Sequence, residues 1–464
     1  MQLFHSSASL SATFDEPNLV SAAGLVPAVA LAVKTGLGAL TDRHLRLPGY
    51  FGANAGLKVT ALVAGMLAGA DSIDDMAILR HGGMKKLFVG AYAPSTLGSF
   101  LRAFTFGHVR QLDAVACRWL TNVATVAPIV TGIDEFALVD IDDTIKQVHG
   151  YQKQGSGYGY SGVRGLNALI GIVSTATSAP VIIGSRLRKG ATGSPRGAGK
   201  FGGDILATVR RLRSASATGL VLLRADSAFY GHAVVSAAHR AGAKVSITAR
   251  MDPAVKRAIG TIADDAWTTI QYTDAIRDET TGAWVSSAEV AEVAFTAFSS
   301  RKTSERITGR LVVRRIPELN PFDGDGQPTL FDTHRFHAFF TTSDLDTVTA
   351  DKTHRGHAII EQVNADLKDS ALAHLPSGIF TANAAWLVLA TIAFNLARTI
   401  GTLTGTELGK ARSGTIRRKL ISVPARISTS ARKIVLHLPE RWPWETGWSS
   451  LFAAACGPPR TATL

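Results

Sequence analysis

The sequence predicts an α/β protein in which alternating strands and helices follow a helical N-terminal region. Ala- and Leu-rich helical periodicity runs from about residue 15 to 125, and a short apolar strand ending in carboxylates begins at Phe136. Strand-like and helical patterns then alternate, as in an α/β core. Residues 251–330 interrupt this alternation with β-prone pieces and a Pro/Gly/Asp-rich loop, which we interpret as an insertion.

The composition indicates a globular protein that binds a polyanion. The chain has 464 residues, of which 46% are hydrophobic and 18% charged, so we expect two or three domains and exclude wholesale disorder. Its formal net charge of +13 attracts phosphates, which makes nucleic acid the leading partner and an anionic membrane surface the second.

A membrane or secretory protein is not expected. The apolar stretches 20–33 and 384–397 are shorter than the roughly 20 residues needed to span a bilayer. The N-terminus lacks a secretory signal, and Cys117 and Cys456 are too few for a disulfide framework. These features predict a cytoplasmic protein, and a nucleic-acid partner would make it nucleoid-associated.

We predict four regions along the chain. Residues 1–130 form a helical region that binds DNA, residues 131–250 and 331–402 form the α/β core, residues 251–330 form the β-rich insertion, and residues 403–464 form a basic tail. A helix opening at Pro94 suits a helix-turn-helix reader of DNA. An amphipathic packing helix explains its pattern equally well.

Three acidic residues lie where an α/β core gathers side chains. Asp142 ends the first strand of the core, Asp226 ends the fourth, and Glu361 lies on a later helix. Adjacent strand ends meet at one edge of a sheet, and a helix crossing that edge adds a third carboxylate. Such oxygen ligands suit Mg²⁺, with Mn²⁺ as a substitute. Two ions about 4 Å apart would activate a nucleophile and stabilise the leaving 3′-oxygen of a phosphodiester.

The order and context of these acids match a known arrangement, that of ribonuclease-H-like polynucleotidyl transferases. The chain resembles bacterial insertion-sequence DDE transposases, specifically the thirteen-eighty group, over most of its length. The residues that carry the resemblance are Asp142-Asp143-Thr144, Arg224-Ala225-Asp226, the segment from His354 through Glu361 to Lys368, and Ala373-His374-Leu375-Pro376.

The resemblance implies a ribonuclease-H-like catalytic core in which Asp142, Asp226 and Glu361 bind metal. It further implies Mg²⁺-dependent cleavage at transposon ends and attack of the freed 3′-hydroxyl on target DNA. The partners are then DNA, as terminal inverted repeats and target, and a second copy of the chain, because two transposon ends must be held together.

The segment around Glu361 also predicts contacts to DNA. His354, His357, Glu361 and Lys368 have the spacing of one helical face, so Lys368 is placed to meet a phosphate. The family carries Arg and Tyr four and seven residues before its glutamate, where this chain has His357 and His354. His357 and Arg355 are both predicted DNA contacts, with Arg355 expected to substitute for the phosphate contact that the family's arginine makes at position 357.

Asp140 and a basic loop complete the candidate site. Asp140 and Asp142 alternate on one strand and face the same side, so Asp140 either supports the metal ligands or replaces one. Arg186, Arg188 and Lys189 belong to a Gly-rich basic segment that suits phosphate contact with DNA. This segment has no nucleotide-binding signature, so we expect no ATP requirement.

Two rival functions remain open from the sequence. Residues 137–145 resemble the nucleophile motif of haloacid-dehalogenase-like phosphatases, in which Asp140 would attack phosphate and Asp142 would act as acid and base. That reading needs Gly324-Asp325-Gly326 as a second metal motif. The other rival is a non-catalytic DNA-binding protein descended from a transposase, which would be expected to lack one of the three acids.

Overall fold

The structure is a computed structural model, and it describes residues 1–150, 152–277, 284–317, 334–405, 407–430 and 433–457. The helices are α1 (Leu25–Lys34), α2 (Leu37–His44), α3 (Ala55–Ala68), α4 (Met84–Leu87), α5 (Pro94–Arg102), α6 (Phe106–Val126), α7 (Ala198–Leu212), α8 (His232–Arg240), α9 (Pro253–Ile259), α10 (Thr347–Arg355), α11 (Ile359–Lys368), α12 (Phe380–Leu403), α13 (Ser413–Ile416) and α14 (Glu445–Cys456).

Strands alternate with these helices only after residue 135. The strands are β1 (Leu19–Val20), β2 (Phe136–Gln147), β3 (Gly157–Tyr158), β4 (Arg164–Ser174), β5 (Val181–Lys189), β6 (Leu220–Ala225), β7 (Lys244–Thr248), β8 (Thr268–Arg277), β9 (Trp284–Ala297), β10 (Ile307–Pro317), β11 (His334–Thr341), β12 (Ala425–Ser430) and β13 (Lys433–His437). The predicted mixed α/β class is confirmed.

The main sheet is built around β2. Its order is β3-β4-β2-β6-β7-β11-β10-β9-β8, and β5 also pairs with β4. β2 is antiparallel to β4 and parallel to β6, which is in turn parallel to β7. Ala137, Val139 and Ile141 of β2 are fully buried, because α7 packs against this strand and α11 also contacts it. A central strand covered in this way is apolar except where a polar side chain finds a partner.

The β-rich insertion extends the same sheet. After β7 the chain passes through α9 into β8, β9 and β10, and returns in β11, which pairs antiparallel with both β10 and β7. The β-prone segments predicted at 267–272 and 310–315 fall in β8 and β10. Most of the predicted Pro/Gly/Asp-rich loop lies outside the described residues.

The two terminal regions pack together. Leu19 and Val20 of β1 pair with β12, which also pairs with β13, and α14 contacts α1. One continuous hydrophobic core contains residues from Val20 in β1 to Leu451 in α14. The segment predicted as a basic tail therefore contains helices and strands that bury apolar side chains against the N-terminal helices.

The apolar helix α12 lies in the middle of the molecule. By length and composition it is able to cross a membrane, but 89% of its most apolar window is buried inside the protein. It contacts β5, α3 and α6, and the Asn395 side chain hydrogen-bonds the backbone of Ile182 through both its oxygen (2.8 Å) and its nitrogen (2.7 Å). The prediction of a buried helix here is confirmed. Helices α1 and α2 pass the same test only as a pair bent by 50°.

The helix predicted around residues 357–368 has an interruption before it. α10 ends at Arg355, a 3₁₀ segment covers Gly356–Ala358, and α11 begins at Ile359. At Gly356 a β-carbon would lie 2.9 Å from Nη1 of Arg224. The missing side chain at the junction thus lets a buried arginine pass beside the two helices.

Candidate active site

Asp140 is held by a buried arginine on the neighbouring strand. Nε and Nη2 of Arg224 donate to the two carboxylate oxygens of Asp140 at 2.7 Å each, and Asp140 has no exposed surface. The parallel register of β2 and β6 places these two residues opposite each other. Nδ1 of His357 lies 2.9 Å from Oδ1 of Asp140. Both oxygens of Asp140 are therefore engaged, and direct metal binding would break a buried bidentate ion pair.

Asp142 lies two residues further along β2, on the same face and closer to solvent. Burial raises the pKa of its carboxyl to about 6, and the neighbouring Asp226 and Asp143 carboxylates add to this increase, against a hydrogen bond from the backbone and the nearby His357. Nδ2 of Asn364 on α11 donates to Oδ2 of Asp142 at 2.9 Å. Asp142 thus carries a charge that is incompletely compensated.

Asp226 follows directly after β6. The parallel pairing of β2 with β6 ends at Ile141 and Ala225, so Asp142 and Asp226 lie at equivalent positions directly after it. β2 itself continues to Gln147 in its pairing with β4, so the expectation that Asp142 ends the first strand is wrong. Partial burial raises the pKa of the Asp226 carboxyl, and its hydrogen bond from the backbone N–H of Ala228, at 3.0 Å, opposes the increase. Within the described part of the chain, neither Asp142 nor Asp226 forms an ion pair with Lys or Arg. The structure therefore brings these two predicted acids together.

Glu361 is near this pair in the fold but is not assembled with it. It is exposed on the first turn of α11, three residues before Asn364, which contacts Asp142. Among the residues that the structure describes, no three His, Cys, Asp or Glu side chains form a group that could hold a metal ion. The third carboxylate is thus on the helix beside Asp142, without a completed three-acid cluster.

Two lysines flank the acids. Burial lowers the pKa of Lys368 on α11, while the Asp142 carboxylate opposes this shift. Burial also lowers the pKa of Lys146 on β2, and the charge of Lys368 adds to the decrease. Lys368 is among the residues that the sequence predicts for the site, whereas Lys146 and Asn364 are not, and Arg224 is predicted only as part of a motif and without a role. Asn364 follows Glu361 by three residues and precedes Lys368 by four, a helical spacing that could have revealed it.

His354 and Arg355 have other partners. The His354 ring lies between Ser246 and Thr248 on β7, at 2.9 and 3.1 Å, and stacks on Phe339 at 4.1 Å. Burial lowers its pKa to about 3, so it is neutral. Nε of Arg355 donates to Asp351 at 2.8 Å. The expectation that His354 shares the face of Glu361 is wrong, because the helix is interrupted at Gly356–Ala358.

The basic residues of β5 differ in their exposure. Arg186 bridges Asp113 and Asp204 at 2.8 Å each. Arg188 forms an ion pair with Asp143, next to Asp142, and its Nε donates to Asn167 at 2.9 Å. Lys189 is exposed at the end of the strand. Arg186 and Arg188 thus hold acidic side chains in place, whereas Lys189 faces solvent.

The site combines two partly desolvated carboxylates where the pairing of two parallel strands ends, the helix α11 beside them, which carries Glu361, and two flanking lysines. A comparison with curated proteins gives no match. A family model described as transposase DDE domain group 1 matches residues 4–455, nearly the whole length. The chain therefore belongs to the family of transposases with a group 1 DDE domain.

Proposed function

We propose that this protein is a DNA transposase that cuts transposon ends and joins the freed 3′-hydroxyl to target DNA, with Asp142, Asp226 and Glu361 as its metal-binding acids. The observation that carries the proposal is the placement of Asp142 and Asp226 at equivalent positions, directly after the point where the parallel pairing of β2 with β6 ends, with the pKa of both carboxyls raised. Membership of the DDE family supports a transposase function. The motif resemblance favours the thirteen-eighty group within it.

The donor set fits a divalent cation. Two carboxylates that repel each other and that form no ion pair with Lys or Arg among the described residues hold excess negative charge, which a bound cation would neutralise. Carboxylate oxygens suit Mg²⁺ and Mn²⁺. Asp142 and Asp226 would hold the ions, and the exposed Glu361 would supply the third carboxylate from α11. Bound there, two ions would supply an activated nucleophilic oxygen and stabilisation of the leaving oxygen.

The residues around the acids orient them and supply positive charge, but do not themselves react. The amide of Asn364 fixes the orientation of the Asp142 carboxylate. Arg224 holds Asp140, which in turn contacts His357 beside the two acids. Lys368 and Lys146 supply positive charge on the DNA side of the site, where a phosphate would compensate their repulsion.

The order of the strands favours a ribonuclease-H-like core. β2, β4 and β5 are successively antiparallel, and β6 and β7 follow parallel to β2 on its other side. Helices α7 and α8 connect these strands, and α11 contacts β2 after the insertion. This arrangement supports assignment of residues 131–250 and 331–402 to the catalytic core, with the insertion at 251–330.

The expected partners follow from the charge and the proposed reaction. The net charge of +13 favours binding to DNA, and we propose the exposed Lys189 and the half-buried Arg355 and Lys368 as contacts to it. We propose a cytoplasmic, nucleoid-associated protein that acts as a homodimer on two terminal inverted repeats. The N-terminal helices are the proposed reader of those repeats, and no ATP is required.

The phosphatase alternative fits poorly. Its nucleophile would be Asp140, which is fully buried and has both oxygens paired with Arg224. An attacking carboxylate must reach its substrate, so this ion pair would have to open first. The second motif of that reading, Gly324-Asp325-Gly326, lies outside the described residues.

Cleavage and strand transfer on DNA carrying the element's own ends test the proposal. With Mg²⁺ we expect the wild type to cut and join, and Asp142→Ala, Asp226→Ala and Glu361→Ala each to lose at least about a thousandfold in rate, as removal of groups that stabilise transition-state charge does. Glu440→Ala, which alters an exposed acid elsewhere, is the matched control. All variants should bind DNA. Full activity in Asp226→Ala and Glu361→Ala would refute the proposed acids.

A further inference from the structure

A cavity lies across α11 from the carboxylates. It has a volume of about 370 Å³, at the lower end of the range of small-molecule sites. Four residues of α11 line it, with the spacing of one helical face: Ile359, Gln362, Val363 and Asp366. Glu361, Asn364 and Lys368 occupy the opposite face of the same helix. The cavity is therefore distinct from the proposed metal site.

The lining of this cavity is strongly cationic. Arg224 and Arg398 are buried in it, and the exposed residues Lys410 and Arg412 lie at its opening. Arg224 is neutralised by Asp140. Within the described ranges, no carboxylate lies within 4 Å of the charged groups of Arg398, Lys410 or Arg412. Asp366 is the acidic residue that lines the cavity, so three unpaired cations face one carboxylate.

Arg398 is a buried arginine in the wall of the cavity, and such a residue is unusual where no ligand binds. Its residue surface is only 8% exposed, and Nη1 donates to the backbone oxygens of Gly409 and Ala411 at 3.2 and 3.0 Å. Its Nε is buried and has no hydrogen-bond partner among the described residues. Burial lowers the pKa of the Arg398 guanidinium, and the Asp366 carboxylate, which lies beyond ion-pair distance, opposes this shift only in part. An anion in the cavity would offset the remaining cost of burying the charge.

The remaining lining suits a ligand with an apolar part. Leu138, Pro180 and Phe394 provide apolar surface, and the Arg398 guanidinium lies over the Phe394 ring at 5.3 Å. The hydroxyl groups of Ser174, Thr175 and Ser178 lie on the β4–β5 connection and also line the cavity. Cations, hydroxyls and apolar surface together match a phosphate attached to a sugar and base.

We propose that this cavity binds a nucleotide unit through its phosphate, either as a free nucleotide or as part of a DNA strand. The cations at the opening attract the phosphate, Arg398 compensates its charge, and the apolar wall receives the sugar or base. Arg224 lines this cavity and holds Asp140 on its other side, which places the bound nucleotide next to the support of the proposed catalytic site. This binding needs no divalent metal.

Calorimetric titration in EDTA tests the proposal independently of catalysis. The probes are thymidine monophosphate, thymidine, inorganic phosphate and a 5′-phosphorylated single-stranded oligonucleotide. We expect the wild type to bind a phosphorylated nucleoside probe, and Lys410→Ala combined with Arg412→Ala to weaken that binding about a hundredfold, at about tenfold for each lost charged contact. Arg418→Ala combined with Arg441→Ala removes two exposed cations outside the cavity and should leave it unchanged.

The probes separate the sources of the nucleotide. Binding of thymidine monophosphate indicates a free nucleotide, whereas binding of the oligonucleotide alone indicates a DNA strand. No binding of either probe, or equal weakening in the cavity variant and the control variant, would overturn the proposal. If inorganic phosphate bound as tightly as thymidine monophosphate, the claim that the apolar wall receives the sugar or base would be contradicted.

Discussion

Asp140 and Asp142 lie two residues apart on one face of β2, yet their surroundings give them different properties. Asp140 is fully buried and paired in bidentate fashion with Arg224, whereas Asp142 accepts one amide hydrogen bond from Asn364. Alternation along the strand predicts their common face, but not which one has a cation partner. That depends on the register of β2 against β6, which brings Arg224 opposite Asp140.

The raised pKa of Asp142 has a consequence for stability. Its pKa in the folded protein is about 6, against an ordinary value of 3.8 for aspartate, so the folded state binds a proton more tightly than the unfolded state. Its contribution to the free energy of unfolding is therefore present below pH 4 and lost as the pH rises through about 6. At pH 8 we therefore expect the free energy of unfolding of Asp142→Asn to exceed that of the wild type by up to about 3 kcal/mol.

Denaturant unfolding without divalent metal, at pH 4 and at pH 8, measures this difference. Asn keeps the size of the side chain and its place beside Asn364, so the gain should be absent at pH 4, where the wild-type carboxyl is protonated. Glu440→Gln, at an exposed acid, is the control and should show no such pH dependence. A pH-independent difference for Asp142→Asn would contradict the explanation.

At the scale of elements, the sequence predicts those strands and helices whose position is set by their own run of apolar residues. The apolar runs ending in Asp142 and Asp226 fall at β2 and β6, and the apolar run beyond residue 383 falls in α12. The interruption at Gly356 was not predicted, because it depends on the distant Arg224 passing beside the helix. For the same reason the internal ion pairs of Arg186 and Arg188 could not be read from their basic segment.

The junction between α10 and α11 yields a prediction of its own. A β-carbon at residue 356 would lie 2.9 Å from Nη1 of Arg224, which also donates to the backbone oxygen of Thr353 at 2.5 Å. Because that guanidinium is held on both sides, we expect Gly356→Ala to lower the free energy of unfolding by about 1–3 kcal/mol. It should also reduce DNA cleavage by displacing the support of Asp140.

Gly203→Ala is the matched control, because residue 203 lies inside α7 and nothing is within 4 Å of its added β-carbon. Replacing this helical glycine should raise the free energy of unfolding by up to about 1 kcal/mol. Thermal or denaturant unfolding of both variants checks the pair. Gly356→Ala as stable and active as the wild type would show that Arg224 has room to move.

At the scale of the whole molecule, the two ends of the chain share one hydrophobic core. β1 pairs with β12, the backbone N–H of Ala23 donates to Val423 at 2.9 Å, and α14 packs on α1. The sequence predicts a basic tail at residues 403–464 because Lys and Arg dominate the pattern there. Its apolar residues are spaced too irregularly to reveal a partner at the other end of the chain.

This packing predicts that α14 contributes to stability. Leu451 is fully buried, so we expect Leu451→Ala to lower the free energy of unfolding by about 2–5 kcal/mol. Val435→Ala, at a residue of β13 that is 36% exposed, should change it much less. Denaturant unfolding of the full chain compares the two. If both variants lowered the free energy of unfolding equally, α14 would not stabilise the protein through its packing on the N-terminal helices.

The central claim is that Asp142 and Asp226 hold divalent metal, and direct binding of Mn²⁺ tests it. Titration of the full chain followed by electron paramagnetic resonance distinguishes free from bound Mn²⁺ without requiring DNA or activity. We expect bound Mn²⁺ in the wild type and in Glu440→Gln, and at least about a tenfold loss of affinity in Asp142→Asn and in Asp226→Asn, since each removes a charged ligand. Unchanged Mn²⁺ affinity in both site variants would contradict the account.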